Sequence, residues 1–476
     1  MAINTKSVRQ QRVKRALSGH SLLGISAALV LILICASGTL SVFAPYFERW
    51  EQPQVPEFDA MPVAAVEKAM QQYEGPDDTS VYVVLPTQDL PRAHLTDGER
   101  EHWLSQEGDI VAPVEIAWTE FLLDLHYYLH LPSSAGLIVV SVMGVVLLML
   151  CLAGLLAHPD IFKSAFRWRR GGQPRLEQVD LHNRLAVWGL PFYLMIGLTG
   201  AFFGLLGLLA NLAATLYFDG NRTALFDAVY GGDPVVQESV QPLNLTPAFA
   251  HLEQHYPDAK PIYVVAHNRG QPSQFFEIAA TREGRLTYSE MYRFHSDGRF
   301  IGGQGLSDGP PGRQLLYSVY RIHFGQFGPF LIRPLWFLFG CALVLVCISG
   351  VNSWMHRVQL APVLPRLWTA FCWGMPAALI VSSFTPIMAV AVFWGALLLL
   401  STFAVVCRRQ WIVQMLSTLL ATLLLARIGV DIWRGAADSL ITQALIVIAV
   451  ILLFYLWSKR RGGRMWHDAV EPLPEQ

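Results

Sequence analysis

Long apolar runs alternate with polar segments along this chain of 476 residues. Because a helix needs about 20 residues to cross the hydrocarbon core of a bilayer, the runs predict about eight transmembrane helices. They lie near residues 22–44, 134–157, 185–215, 331–355, 367–384, 386–406, 411–427 and 439–457. The two runs on either side of Pro386 lie so close together that a re-entrant pair is an alternative there.

Two polar segments interrupt the spans, at about residues 46–125 and 217–322. In each of them a stretch with helical periodicity precedes stretches that alternate as strands do. The helices lie near Val63–Tyr73 and Ala248–Tyr256, and the strands lie at Ser80–Leu85, Pro261–Val265 and Gln274–Ile278. The first segment is a looser copy of the second, and each predicts a small α+β module between two helices.

The flanking helices also repeat. His20 and Gly38 are 18 residues apart, which is five helical turns, so both lie on one helix face. The same pair recurs 162 residues later as His182 and Gly200. The second helix of each half begins near Leu125-His126 or Ile322-His323, and the chain therefore predicts a helix–module–helix unit used twice.

The predicted fold class is a polytopic α-helical membrane protein with about eight transmembrane helices, two small α+β modules and this internal duplication. Its predicted segments are a cytoplasmic tail with the first helix (1–44), the first module (45–130), the second and third helices with a basic loop (131–215), the second module (216–325), the fourth helix (326–360) and a C-terminal four-helix extension (361–476).

Composition and charge agree with a membrane protein and predict its orientation. Hydrophobic residues make up 53% of the chain, charged residues make up 15%, and the mean hydropathy is +0.37. Basic residues cluster in the N-terminal tail and after the second, fourth, sixth and eighth spans: Lys6, Arg9, Arg12, Lys14, Arg15, Lys163, Arg167, Arg169, Arg170, Arg175, Arg357, Arg366, Arg408, Arg409, Lys459, Arg460, Arg461 and Arg464. Positive residues favour the cytoplasmic side, so both termini are expected there, with the first span as an uncleaved anchor. The basic clusters then need no nucleic-acid partner.

Histidines at the ends of the spans are the candidate chemistry, because ionisable side chains near hydrocarbon are costly and usually have a function. His20, His182, His126 and His323 stand at helix starts in matching repeat positions. A second group, for which an interfacial role explains the position as well, comprises His158, His356 and His130.

Haem is the cofactor that this pattern fits. Imidazole binds zinc, copper, iron and haem, but zinc needs three or four ligands at one point, and the sequence has no such cluster. Haem needs one or two axial imidazoles and a flat apolar slot, which repeat-related helices provide. We therefore predict two haem b groups, with His20 facing His182 on the inner side and His126 facing His323 on the outer side. Glycines on the helix faces would let a porphyrin approach the backbone: Gly24, Gly38, Gly144, Gly189, Gly197, Gly200 and Gly340.

The six cysteines lie within or beside apolar runs, with no CxxC or CxxCH spacing: Cys35, Cys151, Cys341, Cys347, Cys372 and Cys407. Disulfides, iron–sulfur clusters and covalently attached haem are therefore not expected, and the cysteines are interpreted as small buried apolar residues.

The segment that begins Asp180-Leu-His-Asn-Arg-Leu-Ala-Val-Trp-Gly-Leu-Pro-Phe, the segment Ile322-His-Phe-Gly and the dipeptides Gly19-His20 and Leu125-His126 resemble the PepSY-associated transmembrane proteins. The resemblance covers about residues 10–360 and leaves the last four spans without an assigned role. Members of this family include iron-regulated inner-membrane proteins and ferrisiderophore reductases that carry two haems. The family's axial ligands carry over to His20, His126, His182 and His323, and a further family histidine matches His158, whereas His130 is not part of the pattern.

The resemblance implies an oxidoreductase of the bacterial inner membrane whose modules lie in the periplasm. It would pass electrons from a cytoplasmic or membrane donor through haem b to a ferric siderophore, or another ferric chelate, and so release the iron. One alternative is a membrane-anchored PepSY regulator or inhibitor of a periplasmic protease, without redox activity. Another is a transporter, but the main carboxylate of the later spans, Asp431, is expected in an outer loop with Arg434, so no ion relay is evident. No nicotinamide, P-loop or nucleophile-elbow motif is present in the sequence.

Overall fold

The structure is a computed structural model, and it describes residues 5–76, 79–158, 160–166, 174–328, 331–407 and 409–460. Within this part of the chain the first nine helices are α1 (Thr5–Ser41), α2 (Ala44–Glu51), α3 (Val63–Gln71), α4 (Ala117–Tyr127), α5 (Ser133–Ala157), α6 (Ile161–Ser164), α7 (Pro174–Trp188), α8 (Leu190–Tyr217) and α9 (Arg222–Tyr230). The others are α10 (Thr246–His255), α11 (Pro311–Phe324), α12 (Ile332–Met355), α13 (Val363–Ser382), α14 (Ala389–Val406), α15 (Arg409–Trp433) and α16 (Leu440–Arg460).

The strands form one antiparallel sheet of eight. They are β1 (Val81–Val84), β2 (Ala93–Thr96), β3 (Glu101–Leu104), β4 (Ile110–Pro113), β5 (Ala259–His267), β6 (Phe275–Arg282), β7 (Glu290–His295) and β8 (Phe300–Gly303). The order across the sheet is β4-β3-β2-β1-β5-β6-β7-β8. Each half of the chain thus contributes a helix, four strands and a second helix in the same sequence, as the predicted duplication requires.

The described residues group into two compact units. The helical unit comprises Met1–Glu51, Ile116–Leu205 and Pro329–Gln476, and the sheet unit comprises Gln52–Glu115 and Leu206–Gly328. The two predicted modules therefore belong to one unit, while α4, which was predicted within the first module, groups with the long helices.

Eight helices of the described chain are long and apolar enough to cross a membrane, which confirms the predicted fold class. These spans are Arg9–Ser41, Ser133–Ala157, Leu190–Tyr217, Ile332–Met355, Val363–Ser382, Pro386–Val406, Trp411–Trp433 and Leu440–Ser458. A short 3-10 turn, Pro386–Met388, separates α13 from α14, and each of these helices has the length of a full span.

The two halves differ in the helix that carries the repeated His–Gly pair. α1 is continuous from His20 to Gly38, whereas in the second half α7 ends at Trp188 and α8 begins at Leu190. Pro191 explains the interruption, because proline has no backbone N–H to donate to the preceding turn and its ring crowds that turn. The five-turn spacing therefore describes one uninterrupted helix only in the first half.

The expectation for Asp431 was wrong. It lies inside α15 and is fully buried, and it pairs with Arg427 one turn earlier instead of with Arg434. Thr442 of α16 donates its hydroxyl to the other carboxylate oxygen at 3.2 Å. A carboxylate in an apolar bundle needs such partners, since an uncompensated buried charge is costly.

The predicted orientation rests partly on basic residues that lie outside the described ranges, namely Arg167, Arg169, Arg170, Arg408, Arg461 and Arg464. The cytoplasmic placement of both termini stays a prediction from the sequence.

The two modules join at β1 and β5, which pair antiparallel with Val83 opposite Val264. Both of these valines are fully buried, and α3 and α10 contribute Val66, Ala69, Ala248 and Leu252 to the same apolar core. Pairing the first strands of both copies removes two open strand edges, which otherwise attract other chains.

A designed disulfide tests this joint. We expect Val83→Cys with Val264→Cys to cross-link on mild oxidation, because directly opposed residues of an antiparallel pair have Cβ atoms about 4.5–5.5 Å apart. Val83→Cys with Val265→Cys is the control, since neighbouring residues of a strand point to opposite faces. The link is read from the gel mobility of the protein cut between the two positions, with and without reductant. Equal cross-linking of both pairs would contradict the register.

Candidate functional site

Two histidines of the helical unit make the same contacts with two different helices. In each case a backbone carbonyl and a glycine of the partner helix contact the imidazole ring, and we call these two groups the seat of the histidine. Nδ1 of His20 lies 3.1 Å from the carbonyl oxygen of Leu150, and its ring lies against Gly154 of α5. Nδ1 of His182 lies 2.9 Å from the carbonyl oxygen of Val346, and its ring lies against Gly350 of α12. In both cases the acceptor carbonyl is four residues before the glycine, so the duplication extends to individual contacts.

His126 on α4 has a seat of the same construction on α1. Its Nδ1 lies 2.9 Å from the carbonyl oxygen of Ile34, and its ring lies against Gly38, again four residues later. A helix carbonyl already accepts from the N–H four residues on, but its second lone pair can accept another donor. The glycine leaves room for the ring, because a Cβ at Gly38 would collide with the His126 imidazole.

These hydrogen bonds determine which ring nitrogen carries the proton. A backbone carbonyl can only accept, so Nδ1 carries the proton in each of the three rings, an assignment inferred from the partner. The neutral ring then has its lone pair on Nε2. Burial lowers the pKa of His126 and of His182 to about 4, and the neighbouring His20 contributes to the shift at His182. At neutral pH both rings are therefore uncharged, which is the form that binds a metal.

His20 and His182 form a pair. Their ring centroids are 6.1 Å apart and their planes are inclined at 79°. The two rings therefore lie within the range of an edge-to-face contact. Imidazole nitrogen binds a transition metal at about 2.0 Å, so a metal between two rings separates their centroids by about 6 Å. The 6.1 Å between the centroids of His20 and His182 is thus also compatible with a metal ion held between the two rings, and their role as ligands stays a prediction.

His158 and His356 follow the ends of α5 and α12. His158 is exposed at the end of α5, yet it lies close enough to His20 and His182 to lower the pKa of His182. His356 is half-buried, and its backbone N–H donates to the carbonyl of Asn352. Among the described residues no group of three His, Cys, Asp or Glu side chains is placed to hold a metal ion, so His158 does not complete a three-ligand centre.

His130 has a different environment. Its Nε2 donates to the carbonyl oxygen of Phe121 at 2.9 Å, and its Nδ1 accepts from the indole N–H of Trp394 at 3.0 Å. The ring also stacks on Phe121, with centroids 4.9 Å apart. Nε2 carries the proton and the lone pair of Nδ1 accepts the indole N–H, so neither nitrogen has a lone pair left for a metal.

His323 belongs to the sheet unit, where it is the penultimate residue of α11, as His126 is of α4. The equivalent positions support the repeat at this point, and the pairing of His323 with His126 stays a prediction.

The structure assigns the helix glycines roles that the sequence did not indicate. Gly38, Gly154 and Gly350 receive imidazole rings, whereas Gly144 lies against the backbone of Gly197 and Ala201 and serves helix packing. The sequence did contain a signal that could have identified two of these glycines. An offset of 196 residues relates Gly154 to Gly350, and the same offset relates Leu150 to Val346.

Three of the cysteines pack as the sequence interpretation suggests. Cys35, Cys151 and Cys347 surround an apolar cluster that includes Leu147 and Tyr193. Each directly follows the residue whose carbonyl binds a histidine, so this cluster lies beside the imidazole seats.

Adding a methyl group beside an imidazole tests these seats. We expect Gly38→Ala to destabilise the protein by about 1–3 kcal/mol, because the new Cβ overlaps the His126 ring and the neighbouring helices must shift. Gly19→Ala on the same helix is the matched control, since nothing lies within 4 Å of its Cβ and alanine favours the helix. The measurement is the apparent melting temperature in detergent. A Gly38→Ala protein that melts with the wild type would contradict the seat.

Comparison with known proteins agrees with the geometry of the repeat. The family described as the PepSY-associated TM region matches residues 17–357, which include the four repeat-related histidines. A Pseudomonas aeruginosa protein named "Uncharacterized protein PA4219" is 31% identical over 276 residues, covering 54% of this chain and 70% of that protein. The match extends over more than half of the chain and ends before α13. The chain therefore belongs to the family of proteins with a PepSY-associated transmembrane region.

Proposed function

We propose that this protein is a haem-containing reductase of the bacterial inner membrane that passes electrons from the cytoplasmic side to a periplasmic ferric siderophore. The observation that carries the proposal is the pair His20 and His182, with centroids 6.1 Å apart and each Nδ1 hydrogen-bonded to a helix carbonyl.

The residues of the inner pair fit haem b. His20 and His182 would hold the haem iron through Nε2, because each Nδ1 carries the proton, and backbone carbonyls are the usual partners that fix a ligating histidine. The seats lie in an apolar bundle, where Leu31, Leu147 and Leu343 are buried nearby. The bound haem would supply one-electron transfer at this position.

The protein's own part is to hold and orient the ligands. The carbonyl bonds of Leu150 and Val346 fix each imidazole's tautomer and direction, and Gly154 and Gly350 let the rings pack against the helix backbone. The surrounding apolar side chains exclude water, which favours a neutral ring and a stable metal–nitrogen bond.

A second layer is proposed at the other end of α1, where His126 would be a ligand, and the repeat assigns the same kind of role to His323. His20 and Gly38, the seat of His126, are separated by about 27 Å along α1 at 1.5 Å per residue. One haem cannot extend over that distance, so two layers divide the electron path across the membrane. His158 would lie beside the inner layer. Electrons from an unidentified cytoplasmic or membrane donor are expected to enter at this layer.

The proposed substrate follows from the family resemblance. One electron converts Fe(III) to Fe(II), which binds the hard oxygen ligands of a siderophore less tightly, and the iron is then released. The alternative of a PepSY regulator of a periplasmic protease predicts a protein without haem, and it assigns no role to the three imidazole seats.

Absorbance spectroscopy tests the cofactor. We expect the purified protein to show a Soret band and a dithionite-sensitive α band, with about two haems per chain. His20→Ala or His182→Ala should lower the haem content by about half, because each removes one ligand of the inner pair. His255→Ala, an exposed histidine of α10, is the control. A wild-type protein without these bands would contradict the proposal.

Anaerobic stopped-flow mixing tests the reaction. After reduction by dithionite and removal of the excess, a ferric hydroxamate chelate should reoxidise the α band as a ferrous-iron indicator develops colour. Gallium(III) in the same chelate is the control, since it resembles ferric iron in size and charge but is not reduced. Equal reoxidation by both chelates would exclude ferric iron as the acceptor.

A further inference from the structure

We propose that the C-terminal helices α13–α15 position His126 by holding α4 at both of its ends. The proposal rests on the proposed function, in which His126 is an axial ligand, and it gives a role to the extension that lies beyond the family match. All of the contacts that carry it lie within the helical unit.

At its N-terminal end, α4 is capped by the buried carboxylate of Glu51. The backbone N–H groups of Trp118 and Thr119 donate to Glu51 at 2.8 Å, and the Thr119 hydroxyl donates as well. A carboxylate suits this place, because the first N–H groups of a helix have no partner within it and carry partial positive charge. Arg434, directly after α15, in turn donates to the backbone carbonyl of Glu51 at 2.6 Å.

Two more contacts connect this end of α4 to the extension. The indole N–H of Trp118 donates at 3.1 Å to the hydroxyl of Ser382, the last residue of α13, and this hydroxyl donates to Leu379. The Trp118 ring meets Trp50 edge to face, and the guanidinium of Arg427 lies 4.6 Å from the centre of the Trp50 ring. The buried Arg427–Asp431 pair is thus connected to α4 through the rings of Trp50 and Trp118.

At its C-terminal end, α4 is followed by a strained turn. Leu129 and His130 have φ values of +55° and +56°, a left-handed conformation that residues with a Cβ rarely adopt. Such strain persists only where the surroundings enforce it. Here the His130 ring is held between the carbonyl of Phe121 in α4 and the indole of Trp394 in α14. The hydrogen bond from α14 therefore helps to fix the turn.

The face of α4 between these two ends packs into one apolar cluster with the extension. Phe121, Leu122 and Leu125 share this cluster with Leu379 and Phe393 of α13 and α14. The cluster also contains Ile32 and Leu33 of α1, the helix on which His126 is seated. α4 is thus set between α1 and the extension, so a displacement of the extension would move the His126 ring relative to the carbonyl of Ile34.

Trp394→Phe tests the positioning, because it keeps a smaller aromatic ring and removes the N–H that binds His130. We expect hydrogen–deuterium exchange of the amides in 117–131 to become about three- to tenfold faster, the effect of losing one hydrogen bond on local opening. In the haem-loaded protein, the reduction potential of one haem should shift while that of the other stays unchanged. Ser382→Ala at the opposite end of α4 should have the same two effects. Trp411→Phe, an exposed tryptophan of α15, is the matched control.

The outcomes separate this proposal from the one on which it rests. Exchange unchanged in both variants would overturn the positioning, and so would faster exchange without any shift in either haem potential. A wild-type protein that contains no haem would contradict the proposed function, and the exchange measurement would still decide whether the extension holds α4.

Discussion

The hydrogen bond from an imidazole Nδ1 to a helix carbonyl is the interaction on which the candidate site depends. It uses an acceptor that every helix offers, namely the second lone pair of a carbonyl already bonded within the helix. In each case a glycine lies four residues after the acceptor, and at Gly38 an added Cβ would overlap the imidazole ring. The result is a neutral imidazole whose lone pair is on Nε2, and three helix pairs of this protein form it in the same way.

The internal duplication has different consequences in the two units. In the sheet unit both copies meet at β1 and β5 and share one core, so neither copy retains its first strand as an open edge. In the helical unit the copies bring His20 and His182 together as a pair. Duplication has thus placed two equivalent imidazoles side by side, which is what the proposed haem would need from the protein.

The last four helices are joined to the repeated core by polar contacts that are costly to bury unless they are satisfied. Arg427, Asp431, Glu51 and His130 each find partners on more than one element, and these partners meet around α4. A polar network of this kind specifies one arrangement of helices more narrowly than apolar packing alone, because each donor must find its acceptor.

The sequence by itself determined the eight spans, since the bilayer sets both the length and the composition of a spanning helix. It also predicted one helix of each module, three of the eight described strands and the repeat-related histidines, because periodicity and spacing are local properties of the chain. Only the tertiary structure decided which surfaces meet. The alternation of Val81–Val84 shows which face of the strand is buried, but not that its edge pairs with β5. The position of His20 in α1 does not reveal that its Nδ1 binds Leu150, which lies 130 residues away. His130 was left open for the same reason, since packing brings its partner Trp394 to it. Asp431 was misplaced for a local reason, because the predicted span ended at residue 427 whereas α15 continues to Trp433 and contains the Arg427–Asp431 pair.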